Sequence, residues 1–414
     1  MAGVEGPTHD EHARLVTAED LLDARARVQA IVRATPTSFV ESIAALARAP
    51  LWLKEEQRQR TGSFKIRGAY NHVCRLPAGT PVVAASAGNH AQGVALAAAR
   101  CGMPAVIYMP AGASLPKVIA TSEYGAEVRL VGEVLEDAVV AAREHAERTG
   151  ARLIPPFDDR HVIAGQGTLG LELLEECPDL DTVLVPVGGG GLLAGVAAAI
   201  KLHRPSVRVV GVEAEGAASM RASLDAGEPV ALTSVHTIAD GIAVKSPSAL
   251  TLAHARAFVD DVVAVTDEQL GEALVVLLER AKAVVEPSGV AGVAAVLAGA
   301  VGPRRADAPM VAVLSGGNVD PLLLSRLIEH GLSGAGRYLR LRVDLPDRPG
   351  SLARLAADVG ALGLNILSVD HHRERASLDV DEVEIRLTVE TRGGAHRTEA
   401  LRSLRDRGWR ARAY

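Results

Sequence analysis

Aromatic side chains make up only 3% of the 414 residues, too few to supply a stacking surface for bases or sugar rings. Charge of either sign is also close to balance. The chain carries 44 Lys and Arg against 50 Asp and Glu, a formal net charge of −6, and it has no long basic run to neutralise phosphates. Nucleic acid is therefore not an expected partner. Cysteine is scarce: Cys74, Cys101 and Cys177 are read as isolated, making neither a disulfide framework nor a zinc knuckle, which fits a reducing compartment. No apolar run is long enough to span a bilayer. The best candidate, VGGGGLLAGVAAAI at 187–200, is too short and too rich in glycine. The N-terminal MAGVEGPTHDEHARL lacks the basic start and apolar stretch of a secretory signal. These absences point to a cytoplasmic protein without membrane partners.

What is present is an ordinary globular composition, 48% hydrophobic with 40 Gly and 21 Pro. At roughly 150 residues per domain the length suggests about three folding units. Short β-branched runs at 82–85, 105–109, 127–131, 182–187, 207–213, 262–265 and 310–314 alternate with helical stretches at 89–100, 133–148, 161–176, 192–202 and 267–283. TVLVPV and MVAVL are apolar throughout, as strands covered on both faces are. The alternation predicts an α/β body of βαβ units. Character changes at GLSGAGR (331–337), read as a linker. Beyond it the strand, helix, strand, strand, helix, strand pattern of 338–345, 351–363, 365–372, 381–390, 395–408 and 409–414 predicts a ferredoxin-like βαββαβ unit.

Three constellations carry chemistry. Gly188, Gly189, Gly190 and Gly191 follow the strand TVLVPV and open a helix at Leu192. Residues without Cβ let backbone N–H groups converge on an anion, and the helix start adds positive charge. A dinucleotide is one reading, since Gly189, Gly191 and Ala194 keep a G-x-G-x-x-A spacing and Glu213 ends the next strand where an acid would hold a ribose. Yet several strands precede this one, and four glycines suit one terminal phosphate better. The second constellation is RTGSFKIRGAYN (60–71), where Lys65 stands between Phe64 and Ile66. A lysine withdrawn from water loses its proton more easily, and the neutral amine attacks aldehydes. With a one-phosphate cup it points to pyridoxal phosphate. The third is a pair of polar turns after strands, VVAASAGNHAQG (82–93) and VAVLSGGNVD (311–320). Singly, Asn89 and Ser315 read equally well as helix caps. At strand ends of one parallel sheet such loops converge on the ligand cleft.

Together these residues resemble the threonine dehydratase (threonine ammonia-lyase) family of pyridoxal-phosphate enzymes, whose relatives include serine dehydratase, serine racemase and the tryptophan synthase β-chain. The resemblance rests on GSFKIRGAYN, SAGNHAQGVA, IAGQGTLGLEL, VPVGGGGLLAG, GVEAEGA, ADGIAVK, EPSGV and LSGGN. It implies a two-lobed tryptophan synthase β-like fold over 1–330, with a small lobe at about 56–150 inserted in the large one. It also implies Lys65 as the Schiff-base lysine with Phe64 beside it, and Asn89 on the ring hydroxyl. Residues Gly188 to Leu192 would hold the phosphate and Ser315 would face the pyridine nitrogen. Ser86, Ala87, Gly88, Asn89 and His90 would receive the substrate carboxylate. The implied reaction is β-elimination from L-threonine to 2-oxobutanoate and ammonia, with L-serine as a secondary substrate. A serine dehydratase or racemase is the alternative within the family. A racemase needs a second acid–base hydroxyl, and the residue matching it is Ala87. The divalent-metal site of such a racemase is incomplete too, since Ser219 stands where an aspartate would accompany Glu213, so no essential metal is expected.

The tail, 338–414, resembles an ACT domain through Asp347-Arg348-Pro349-Gly350-Ser351-Leu352 and Asn365. The resemblance implies an amino-acid effector held by Asp347, Pro349, Gly350, Ser351, Leu352 and Asn365 between two paired chains, hence a homodimer or homotetramer. An ACT-like module that only dimerises is the alternative. An RNA-recognition reading of the same order fails for want of stacking aromatics.

Overall fold

The computed structural model describes residues 14–334, 336–373 and 381–414. They group into two compact units, Met1–Leu324 and Ser325–Tyr414.

The first unit is built on two sheets. One has six strands in the order Thr37–Phe39, Leu51–Lys54, Met310–Val313, Thr182–Pro186, Arg208–Ala214, Asp261–Val265. All neighbours run parallel except the first pair. The other, smaller sheet is wholly parallel, in the order Glu127–Leu130, Ala105–Met109, Val82–Ala85, Arg152–Leu153. Its strands fall between residues 82 and 153. Strands Thr182–Pro186 and Met310–Val313 are buried at every position, which accounts for their unbroken apolar sequence. The seven expected strands of this unit all form, within a residue or so of their expected bounds. The stretch 267–283 divides, an α-helix Asp267–Val276 continuing as a π-helical turn Leu277–Ala281.

The helix Lys65–Val73 packs against two others, Asn89–Arg100 and Arg160–Glu176. Their approach is close because the facing residues are small. A Cβ on Gly93 would stand 3.2 Å from the Lys65 carbonyl carbon, and one on Gly165 2.6 Å from the Arg67 carbonyl oxygen. The first helix is also tied by charge. Arg67, fully buried, donates from Nε to Glu56 Oε2 at 2.8 Å and from Nη1 to Glu172 Oε1 at 2.6 Å. Lys54 Nζ, equally buried, lies 3.1 Å from Glu172 and 2.9 Å from Glu176.

Cys74 and Cys101 end the helices Lys65–Val73 and Asn89–Arg100 and are joined by a disulfide, with Cα atoms 5.8 Å apart. This corrects the reading of three isolated cysteines. A separation of 27 residues hides the pairing, which follows only from the two helices lying side by side. Cysteine usage consequently no longer argues for a reducing compartment. Cys177 is free.

The second unit has a four-stranded antiparallel sheet in the order Asn365–His372, Glu382–Glu390, Tyr338–Pro346, Arg410–Ala413. Helices Ser351–Ala361 and Gly394–Asp406 pack on it around Leu341, Val343, Leu355, Ile385 and Leu404. That is the expected ferredoxin-like arrangement. The expected linker differs, because the helix Pro321–Gly334 runs through most of it. One glycine inside a helix costs only about 1 kcal/mol, which the apolar stripe of PLLLSRLIEHGL offsets. Ala335, within that expected linker, lies outside the described residues.

The Arg67 network yields a stability prediction. Arg67→Ala would leave Glu56 buried without its cation, a loss of roughly 3–5 kcal/mol. Urea titration should show the first unit unfolding at markedly lower denaturant in this variant.

Candidate active site

Each residue expected in the site lies at the end of a strand or the start of a helix, and the chain brings them together. Phe64 and Lys65 begin the helix Lys65–Val73, and the Phe64 N–H donates to the Ser315 carbonyl at 3.1 Å. Ser315 follows the strand Met310–Val313 and is buried, yet its hydroxyl has no hydrogen-bond partner among the described residues. The Lys65 ammonium donates to the Pro156 carbonyl at 3.0 Å and stands 5.2 Å from the centre of the Phe64 ring. Desolvation pulls its pKa from 10.5 to about 8, with the nearby Glu286 carboxyl acting the other way.

Gly188 to Gly190 form a turn after the strand Thr182–Pro186, and the helix Gly191–His203 starts there. Glycine is required here by packing as well as by conformation. A Cβ on Gly188 would lie 2.9 Å from the Ile242 Cα, and one on Gly189 2.2 Å from the Phe157 ring. Gly190 has φ +89°, left-handed backbone that other residues adopt only with strain. The N–H groups of Gly188, Gly189 and Gly190 bond to no other group of the described chain, and those of the first helical turn are free by geometry. An unengaged arc of donors at a helix start is a cradle for one phosphate.

Glu213 is not available to a ribose. It is fully buried, and its carboxyl oxygens accept from the Met220 and Arg221 N–H groups at 2.7 and 2.9 Å, capping the helix Ser219–Ala226. The dinucleotide reading thus loses its acidic residue. Among the described residues no group of three or more His, Cys, Asp or Glu is placed to hold a metal ion.

The turn from Ser86 to His90 joins the strand Val82–Ala85 to the helix Asn89–Arg100. The Ser86 N–H is taken by the Tyr108 carbonyl at 3.1 Å, and the Gly88 N–H reaches Ser86 Oγ at 3.2 Å. The donors left for a carboxylate are the N–H groups of Ala87, Asn89 and His90. The His90 ring is turned away: its Nε2 contacts the Ile154 carbonyl at 2.9 Å, and burial with the Lys65 charge lowers its pKa to about 3. It is neutral and contributes only through its backbone. Lys117 Nζ lies 3.9 Å from where a Gly88 Cβ would be, paired with Asp240 at 2.8 Å.

Two side chains without an assigned role in the sequence reading also reach the site. Asn89 Nδ2 donates to Glu286 Oε1 at 2.7 Å, and Asn318 Nδ2 donates to Asn89 Oδ1 at 2.7 Å. Both stand in segments singled out by sequence, EPSGV and LSGGN, but no spacing rule ties 286 or 318 to 89.

The site fits pyridoxal phosphate: a poised amine, a one-phosphate cradle, a serine hydroxyl with no partner among the described residues and a donor-rich turn lie close together. Because the Gly189 Cβ position is filled by the Phe157 ring, Gly189→Ala must displace that ring or the cup. Equilibrium dialysis should show pyridoxal phosphate binding at least about tenfold more weakly, the equivalent of one lost charged hydrogen bond.

In the second unit Gly350, φ +90°, precedes the helix Ser351–Ala361, and no atom lies within 4 Å of where its Cβ would be. Ser351 is buried and its hydroxyl is unpartnered, while Leu352 and Asn365 are exposed. Pro349 is exposed as well, and the Asp347 carboxylate pairs with Arg373 at 3.1 Å.

Comparison with known proteins agrees with this geometry. Residues 28–316 match the pyridoxal-phosphate dependent enzyme family, and residues 339–406 match the ACT domain. An L-threonine ammonia-lyase of Thermotoga maritima is 43% identical over 404 residues, 96% of this chain and 99% of that protein. Among solved structures, the processed form of threonine deaminase isoform 2 from Solanum lycopersicum superposes with a TM-score of 0.72 at 36% identity, covering 78% of this chain and 94% of that one. Maize serine racemase does so with a TM-score of 0.72 at 37% identity, covering 77% and 99%. With the cradle, the amine and both domain matches in register, the chain belongs to the pyridoxal-phosphate dependent enzymes of tryptophan synthase β-like fold and ends in an ACT domain.

Proposed function

We propose that this enzyme deaminates L-threonine to 2-oxobutanoate and ammonia and converts L-serine to pyruvate as a side reaction. The observation that carries the reading is the Lys65 amine held near neutrality beside the phosphate cradle, with alanine at 87 where a racemase would keep a second proton carrier. The L-threonine ammonia-lyase relative supports it further, since its similarity extends through both domains.

Pyridoxal phosphate, when bound, supplies the electron sink that makes the α-proton of an amino acid acidic. The chain does the rest. Gly188 to Leu192 anchor the phosphate, Phe64 packs beside the reactive amine, and the N–H groups of Ala87, Asn89 and His90 orient the carboxylate. Lys65 Nζ takes the α-proton: with a pKa about 8 it is a weak enough acid to accept and a strong enough one to give back. Ser315 offers a neutral hydroxyl to the pyridine nitrogen. Unlike a carboxylate it could not hold a proton there, and such a partner would suit elimination of the β-hydroxyl over transamination. Maize serine racemase resembles this chain as closely in fold, but Ala87 has no proton to exchange on the second face.

For the ACT domain we assign an amino-acid effector to the turn Asp347 to Leu352 with Asn365. The open Gly350 backbone, the helix start and the unpartnered Ser351 hydroxyl suit an α-amino acid. Pairing of two such domains makes the active species a homodimer or homotetramer, and we place the enzyme in the cytoplasm. No helix among the described residues is long and apolar enough to cross a membrane.

The deciding assay measures 2-oxo acid from L-threonine and L-serine, repeated with added L-isoleucine or L-valine. Expected are turnover of both substrates, more of threonine, and complete loss in Lys65→Ala; absence of any oxo acid from the loaded enzyme would refute the reading. A pH experiment tests the amine itself. Only the neutral form attacks the aldehyde, so a depressed pKa puts the change near 8. The stopped-flow rate at which cofactor-free protein captures pyridoxal phosphate should rise through that pH and level off above it, whereas an ordinary lysine would still be accelerating there.

A further inference from the structure

The orientation of Asn89 is fixed from both ends by groups that leave little choice. The Thr61 carbonyl can only accept, and Asn318 Nδ2 donates to it at 2.7 Å. The same nitrogen faces Asn89 at 2.7 Å, so Asn89 must present its oxygen on that side. Its Nδ2 then points to Glu286 Oε1, 2.7 Å away. Reversing any one amide would set donor against donor or acceptor against acceptor. One Nδ2 hydrogen is consumed by Glu286, which leaves the second for a ring oxygen.

Glu286 is built into place. It is 4% exposed, and its N–H donates to the Gly316 carbonyl at 3.0 Å. Gly316 and Gly241 make room for it, since a Cβ on either would come within 2.5 or 3.4 Å of Oε1. The charged groups around it are Lys65 from the helix Lys65–Val73, Asp240 from the turn Asp240–Ile242, and Lys117 from the helix Leu115–Glu123. Burial, then Asp240, push its pKa up to about 7 against the pull of Asn89 and Lys117. A buried carboxyl in a cleft, at the cost of desolvation, asks for a role.

We propose that Glu286 is a positioning residue for the cofactor: by accepting from Asn89 Nδ2 it dictates that the amide meets the ring oxygen as a donor. This rests on the cleft being the pyridoxal-phosphate site. The role needs an acceptor at Oε1 and does not need a charge, so a glutamine with its oxygen toward Asn89 serves. An alanine removes that acceptor and leaves Asn318 alone to hold the amide.

The test compares full-length wild type, Glu286→Gln and Glu286→Ala for pyridoxal-phosphate affinity by dialysis, for the absorbance band of the loaded protein, and for melting temperature. Glu286→Ala should bind the cofactor at least about tenfold more weakly with a displaced band, and Glu286→Gln should stay within about threefold of wild type with the band in place. Should Glu286→Ala fail to fold, Asn318→Asp removes the donor that holds Asn89 Oδ1, setting acceptor against acceptor at that end, and should likewise weaken binding and shift the band. Unchanged affinity and band in the folded alanine variant, or in Asn318→Asp where it stands in, would overturn the proposal, as would equal damage by alanine and glutamine. Failure of the wild type itself to take up pyridoxal phosphate would overturn the cofactor reading, a result distinguishable from either.

Discussion

A lysine ammonium kept from water is the constraint around which the first unit is arranged. Its depressed pKa is an energetic statement. Lowering it from 10.5 to about 8 costs the folded chain on the order of 3 kcal/mol at neutral pH, where both folded and unfolded forms carry the proton. The unfolded chain binds the proton more tightly between those two values, so this cost is relieved as pH rises from about 8 towards 10.5. Such a penalty requires compensation nearby. Two residues further along the same helix, Arg67 engages Glu56 and Glu172 inside the protein, and small residues let three helices close around the backbone. The helix bearing a destabilised amine is thus among the most firmly held elements of the unit.

The phosphate cradle shows a similar double use of residues. In the proposed role four glycines would serve an anion by exposing N–H groups, but Ile242, Phe157, Met220 and Thr251 already crowd the spaces where their Cβ atoms would be. Phe157 belongs to the segment whose Pro156 carbonyl receives the lysine. One short stretch, from Pro155 to Asp159, therefore touches both the phosphate end and the amine end of the cleft. Asp159 completes it by capping the helix Arg160–Glu176 through the His161 and Val162 N–H groups. Backbone, cap and cofactor contacts cannot be varied separately there.

Much of this was legible in sequence where the signal is local. TVLVPV and MVAVL announced buried strands, and the helix Asn89–Arg100 was placed at its observed bounds. The βαββαβ tail followed from alternation alone. What escaped depends on contacts between distant segments. Cys74 meets Cys101 only because two helices pack together, and Glu286 meets Asn89 across 197 positions. Glu213 looked like a ribose ligand from its spacing, but two backbone N–H groups of the next helix claim it. The expected linker was overridden by an apolar helical stripe. Local pattern fixes elements; which buried polar group satisfies which is decided by tertiary geometry.

The choice between reactions also rests on what the site withholds. A racemase must deliver a proton to the face opposite the one it deprotonates, and Ala87 has none to deliver. Neutral His90, committed to the Ile154 carbonyl, cannot substitute for it. Transamination wants a strong electron sink, and Ser315, in its proposed place at the pyridine nitrogen, would provide none of the charge that sustains one. What favours elimination is the Lys65 amine, able to take one proton and return it, together with the want of a second carrier at position 87. Selectivity between threonine and serine is a separate and weaker matter, one methyl group in the pocket, worth about 1–3 kcal/mol.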